Sequence, residues 1–266
     1  MQSTVDSLRF SVLGPVRAWR GDVEIDCGPP AQRKVLALLL VAGGQPVSLN
    51  QLIELLWDHA PPASAANSVH RSIGMLRRQF EPDLPTRQRG QWLVRQQGNY
   101  LLNVGPETLD LLRFRELAAS ARLAAGRPGQ ALPEFLAALG LWHGSCASGL
   151  EPTPRAQATF TRIDRERVLL AREAGATARG AGRPQDVLPV LRELAALNPT
   201  DEALHAELML CLAAAGYQAE ALAVHAAISH ALHEELDVAP GPELREAQQQ
   251  VLRQMVRSVR MVERWC

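Results

Sequence analysis

From Leu8 to Asp26 (LRFSVLGPVRAWRGDVEID) apolar and polar positions alternate, with breaks at Gly14-Pro15 and Arg20-Gly21-Asp22. That period predicts a small antiparallel meander of three short strands. Pro29 to Ala42 (PPAQRKVLALLLVA) then reads as a helix, with proline near its start and Gly43-Gly44 at its stop. Ser48 opens a second helix as its N-cap, and Gln51 falls where a capping box needs it; the helix continues through Leu52, Ile53, Leu55, Leu56 and Trp57. Beyond the connector Pro61-Pro62-Ala63-Ser64, apolar residues recur at Val69, Ile73, Leu76 and Phe80, which makes one buried stripe on a third helix. Gln91 to Val104 (QWLVRQQGNYLLNV) predicts a hairpin turning at Gln97-Gly98-Asn99.

Three helices followed by a hairpin make a winged helix, in which the second and third helices are the helix-turn-helix and the hairpin is the wing. The strands in front mark the OmpR-type variant. Past Pro106 the strand signals end and amphipathic helices rich in Ala and Leu follow. Gly182-Arg183-Pro184-Gln185-Asp186-Val187-Leu188 and Gly216-Tyr217-Gln218-Ala219-Glu220-Ala221-Leu222 stand 34 residues apart, the tetratricopeptide period. A third copy, Gly126 to Leu132, is displaced by an insertion. Asn198-Pro199 ends one helix, and Thr200 and Asp201 can cap the next. His143 to Pro154 reads as a loop between helical pairs. The expected fold is therefore mainly α with a small β part. Residues 1–105 form a winged helix-turn-helix domain, 106–255 an all-α tetratricopeptide-like domain, and 256–266 a weakly patterned tail.

Charge changes this picture only locally. The formal net charge of the 266 residues is zero, yet residues 1–105 carry 11 basic and 8 acidic side chains and the remainder 17 and 20. Six arginines lie between Asn67 and Arg95, against only Glu81 and Asp83. The positive charge thus gathers around the third helix and the segment after it. Cys27, Cys146, Cys211 and Cys266 are widely separated and form no Cys-x-x-Cys, which argues against a disulfide framework or a zinc site. His225, His230 and His233 lack a carboxylate or Cys partner on their face, so no metal is expected. Gly144 to Gly149 (GSCASG) is no nucleophile elbow, and no phosphate-binding Gly-x-x-x-x-Gly-Lys occurs. An enzyme and a bound cofactor are not expected. The N-terminus lacks the pattern of a signal peptide, and Val35 to Ala42, the longest apolar run, is too short to span a bilayer. The expected compartment is the cytoplasm, at the nucleoid.

Opposite the Val69 stripe, 100° per residue places Asn67, Arg71, Gly74 and Arg78, flanked by His70 and Met75. Arg71 is placed to fork onto a guanine; clamping a phosphate is the other reading. Asn67 and His70 can meet bases or phosphate, and Ser68 and Ser72 are placed for phosphate oxygens. Arg77 and Arg78, late in the helix, suit phosphate or plain solvation. Gly74 permits a close backbone approach. On the wing, Arg95 and Gln96 can enter a minor groove or simply support the hairpin. Ser48 and Asn50 at a helix N-terminus suit a phosphate, and a plain N-cap accounts for them as well. Asp58 and His59, in the loop after Trp57, are candidates for a protein contact.

The two halves together resemble one family, the Streptomyces antibiotic regulatory proteins, small activators of the AfsR type. The resemblance covers roughly residues 8–255. It rests on Leu13-Gly14-Pro15-Val16, on Gln32 to Leu40, on Leu56-Trp57 with Pro61-Pro62, on Leu76-Arg77-Arg78 and on Asn99-Tyr100-Leu101-Leu102. In the second half it rests on Asp110 to Phe114, Ala138 to Gly144, Leu208 to Leu212, Gln218 to Val224 and Glu234 to Leu244, which look like the bacterial transcriptional activation domain. The resemblance implies binding of direct repeats in promoter DNA near the −35 region, recruitment of RNA polymerase, and activation of a secondary-metabolite gene cluster, with copies side by side on tandem sites. Members often carry Ser-Arg where this chain has Gly74-Met75, and Pro-Pro-Gly-Tyr where it has Gln97 to Tyr100, which implies a different operator. The competing reading is a helical-repeat adaptor or ligand sensor whose winged helix does not bind DNA.

Overall fold

The computed structural model describes residues 8–85, 88 and 90–262, and the side chains of these except 254–262. Arg87 and Arg89, two of the six arginines counted above, and Cys266 lie outside the described residues. The chain divides into two compact units, one of residues 1–117 with 140–165, the other of 118–139 with 166–266.

The first unit opens with the expected meander. Strands β1 (Leu8–Ser11), β2 (Arg17–Arg20) and β3 (Val23–Ile25) form a sheet of order β1-β2-β3. Helix α1 (Pro30–Val41) has proline in its first turn and buries every residue from Val35 to Val41. Helices α2 (Leu49–Trp57) and α3 (Ala65–Phe80) follow. The hairpin is β5 (Leu93–Gln96) and β6 (Asn99–Leu102). Gln97 (φ 50°) and Gly98 (φ 84°) are both left-handed, as the two-residue turn that matches strand twist requires. One element was not foreseen: Val47–Ser48 forms β4, which pairs with β6 and makes a second sheet of order β4-β6-β5. Two residues are too few to show a period in sequence.

The core of this unit forms around the α3 stripe. Val69, Ile73, Leu76 and Phe80 are at most 4% exposed. Phe10 of β1 meets Phe80 edge-on at 5.2 Å and Trp92 at 5.9 Å, which joins the first sheet to α3 and to the approach to the wing. Arg20 donates from Nη2 to the carbonyls of Gln79 (3.0 Å) and Phe80 (2.9 Å), two acceptors that the end of α3 leaves without helical partners. Two later segments complete the unit. The Asp110 carboxylate, at the start of α4 (Asp110–Leu123), accepts from the amides of Val12 and Leu13 at 3.0 Å. Burial pushes its pKa up even against those hydrogen bonds. The loop before α6 (Pro154–Gly180) returns to β1: His143 N donates to Leu13 O at 2.8 Å and Ala147 N to Val12 O at 2.9 Å. A Cβ on Gly14 would meet the His143 backbone at 3.1 Å, so this approach needs glycine.

The second unit is helical among its described residues. Its elements include α5 (Pro128–Leu139), α7 (Leu188–Leu197), α8 (Glu202–Ala214), α9 (Gln218–Leu236) and α10 (Pro242–Val262). The 34-residue repeat is visible in its hydrogen bonds. Gly182 N donates to Arg179 O and Arg183 N to Ala178 O; one period later Gly216 N donates to Ala213 O and Tyr217 N to Leu212 O. Both glycines are left-handed (φ 69° and 91°), so the same helix-ending turn occurs twice. Gly126 is not among the left-handed glycines, and the displaced copy does not repeat that pair of bonds. Asp201 caps α8 by accepting from Leu204 N at 3.0 Å. Helix α10 continues through Val262, so most of the tail expected to be weakly patterned is helical; residues 263–266 lie outside the description. Among the described residues no helix is long and apolar enough to cross a membrane.

Candidate nucleic-acid interface

Helix α2 begins with the complete capping box. Gln51 N donates to Ser48 Oγ (3.1 Å) and Ser48 N donates to Gln51 Oε1 (2.9 Å). Ser48 therefore fixes the start of the helix, and Asn50 projects exposed from its first turn. The chain then turns sharply at Asp58, which has a positive φ of 53° with ψ −118°. Arg155 at the start of α6 holds this turn, with Nε 3.2 Å from Asp58 Oδ1 and Nη1 3.1 Å from Glu54 Oε2. Thr153 Oγ1 donates to Leu55 O at 2.7 Å. Asp58 and His59 were expected to be presented together for a protein contact. His59 is the exposed one, with its side chain 83% exposed and its Nε2 3.5 Å from Asp58 Oδ1, while the Asp58 carboxylate faces Arg155 and is 24% exposed.

On α3 the face opposite the stripe is as expected for most positions. Asn67, His70, Arg71 and Arg78 are exposed, and Gly74 and Met75 are half-buried. A Cβ on Gly74 would meet nothing within 4 Å, so no internal packing demands glycine there. Arg71 and Arg78 make no ion pair among the described residues. Ser68 donates from Oγ to Ser64 O at 3.1 Å and stays half-buried.

Two positions depart from expectation. Ser72 was placed at phosphate oxygens, but it is only 8% exposed. It sits three residues after Val69 and four before Leu76, so the helical period carries it onto the flank of the buried stripe. Arg77 was expected at phosphate or in solvent, yet it is half-buried and its Nε donates to Leu93 O at 2.8 Å. It acts as a strut from the recognition helix to strand β5 of the wing.

The wing is bound to α3 a second time through Tyr100, which is 3% exposed. The His70 ring meets it at 6.3 Å in an edge arrangement, and the Arg95 guanidinium lies 5.9 Å from its ring centre. Burial pushes the Tyr100 pKa up, so its hydroxyl stays neutral beside these groups. Arg95 and Gln96 remain exposed at the hairpin end. Sequence reasoning missed Tyr100, Arg77 and Arg20 as positioning residues. Only the apolar alternation of β6 hinted that Tyr100 points inward.

Burial, with the nearby Asp26 and Glu24 charges, pushes the Cys27 thiol up to about 11, which keeps it from acting as a thiolate. Among the described residues no three His, Cys, Asp or Glu side chains are grouped to hold a metal ion.

A capped helix, a held turn, an exposed Arg-bearing helix face and a braced hairpin define a winged helix-turn-helix regulator of the OmpR type, here followed by helical repeats. Comparison with known proteins agrees. Residues 25–98 match the model of the C-terminal domain of transcriptional regulatory proteins, and residues 109–252 match the bacterial transcriptional activator domain. The regulatory protein AfsR of Streptomyces griseus is 37% identical over 253 residues, 94% of this chain and 25% of that protein. The chain thus spans about a quarter of the length of the AfsR proteins it matches. MoaR1, a transcriptional regulatory protein of Mycobacterium tuberculosis, is 30% identical over 95% of this chain and 82% of its own length. A solved structure of Mycobacterium tuberculosis EmbR in complex with a low-affinity phosphopeptide superimposes with a TM-score of 0.78 at 29% identity, covering 93% of this chain and 65% of that one. The chain belongs to the Streptomyces antibiotic regulatory protein family of transcriptional activators.

Proposed function

We propose that this chain activates transcription of a secondary-metabolite gene cluster by binding direct repeats in promoter DNA and recruiting RNA polymerase. Residues 1–105 serve as the DNA-binding domain and 106–255 as the activation domain, in the cytoplasm at the nucleoid. The observation that carries the reading is the exposed α3 face, where Arg71 and Arg78 face solvent with no carboxylate partner among the described residues, around a glycine that internal packing does not require. Arg71 forks onto a guanine in the major groove. Asn67 and His70 contact neighbouring bases or phosphates, with Ser68 and Arg78 on phosphate, Met75 against the groove and Gly74 allowing a close approach. Arg95 and Gln96 reach the adjoining minor groove, and the start of α2 at Ser48 and Asn50 faces a phosphate. His59, beside the turn that Arg155 holds, is the more accessible side of the polymerase contact. Copies on tandem repeats compensate for a modest local charge excess.

A gel shift with the purified chain on fragments upstream of its neighbouring operons tests the reading. Retardation of a fragment that carries a direct repeat is expected, weakening with only a shallow slope as salt rises, because few phosphate contacts release few counterions. Absence of retardation on every fragment at low salt would refute it and favour the adaptor reading.

A further inference from the structure

We propose that the outer face of the N-terminal sheet binds a small planar aromatic carboxylate. The register Arg9↔Trp19 and Ser11↔Arg17 puts these four side chains on one face of β1 and β2, the face opposite Phe10 and Ala18. They line a groove of about 450 Å³ whose other walls include Leu109, Arg113 and His143. That volume lies within the ~300–1,000 Å³ usual for small-molecule sites.

The chemistry of the lining selects the ligand class. Trp19 offers a half-buried indole, and Arg9 lies 5.9 Å from its ring, held there by Gly21 O at 3.0 Å and Asp22 at 3.6 Å. A flat apolar body can stack where that indole remains open. Arg17 and Arg113 supply the forks. Each has only a surface partner: Glu24 lies 3.7 Å from Arg17, both about half exposed, and Glu116 is the exposed neighbour of Arg113 one helical turn on. Ion pairs this exposed exchange readily for a better acceptor. His143 is exposed at the rim and makes no side-chain hydrogen bond or ion pair among the described residues. Two carboxylates, Asp110 and Glu107, also line the groove, set against the guanidiniums of Arg9, Arg17 and Arg113. Asp110 spends its oxygens on the amides of Val12, Leu13 and Leu111. Glu107 folds back over Gly105, where an added Cβ would meet its Oε2 at 2.7 Å. A carboxylate held between guanidiniums is recognised in two prongs, and a neutral analogue would lose both.

The test is calorimetric titration of the full chain with 2-naphthoate, beside its neutral analogue 2-naphthalenemethanol. Saturable one-to-one binding of the naphthoate is expected, with at least tenfold weaker binding of the alcohol. Arg113→Gln and Trp19→Leu should each weaken naphthoate at least fivefold, while their thermal midpoints stay within a few degrees of wild type. Arg245→Gln, in the second unit, should change nothing. No saturation at millimolar naphthoate would overturn the proposal. So would equal binding of the alcohol, or binding that both groove variants retain. DNA retardation by the same samples is scored separately, so failure here leaves the promoter reading standing.

Discussion

Arg71 and Arg78 on α3 stand exposed with no carboxylate partner among the described residues. In the helical unit several residues of the same type are used up internally. Arg122, Arg167, Arg179 and Arg192 each fork onto a glutamate, Glu173, Glu193, Glu207 and Glu220, through paired hydrogen bonds of 2.7–3.1 Å. Three of these pairs span 26 to 28 residues: Arg167 ties α6 to α7, Arg179 ties α6 to α8, and Arg192 ties α7 to α9. The contrast shows why net charge misleads for this chain. Its basic side chains balance its acids in number, but the pairing is done elsewhere in both units, which leaves the exposed α3 face positive. A guanidinium facing water costs little and stays available. One that has been desolvated must keep its glutamate.

The largest effect tests the consumed arginines. The Glu207 side chain is 12% exposed and takes both prongs of Arg179. Burial works against the Arg179 charge, and the Glu207 hydrogen bonds and charge more than restore it, raising its pKa. Arg179→Ala strands the carboxylate and should cost ~2–4 kcal/mol in urea unfolding. A smaller loss is expected at the interface. Arg71→Ala should weaken promoter binding by ~1–3 kcal/mol with the thermal midpoint unchanged, as for a residue that contacts only DNA. Arg77→Met lies between the two classes. It removes one hydrogen bond to Leu93 O, worth ~1–2 kcal/mol because the donor is charged, and should show in both unfolding and DNA affinity. The smallest effect sharpens the comparison. Arg192→Ala breaks a pair of the same geometry, but one 44% exposed on both sides, and should cost under ~1 kcal/mol.

Much of the fold was legible because its signals are local. The α3 stripe, the Ser48 capping box, the Gln97-Gly98 turn and the Asp201 cap depend on residues within a few positions of one another. What escaped depends on distant partners. Arg20 reaches carbonyls 59 and 60 residues away, and Thr153 reaches one 98 residues away at the turn before α3. Arg77 looked like a surface arginine because nothing in sequence marks Leu93 O as its acceptor. The face around Arg71 was readable from helical period alone, and Ser72 was misplaced because it falls at the margin where one position decides between groove and core.

Arg71 is proposed to read a base. A double-mutant cycle tests it most directly: affinities of wild type and Arg71→Ala are measured on the direct repeat and on variants with each guanine replaced. Coupling of at least ~1 kcal/mol to one guanine per repeat, and near zero to the others, is expected. Equal loss on every variant, with no guanine coupled, would contradict it and leave Arg71 a phosphate clamp.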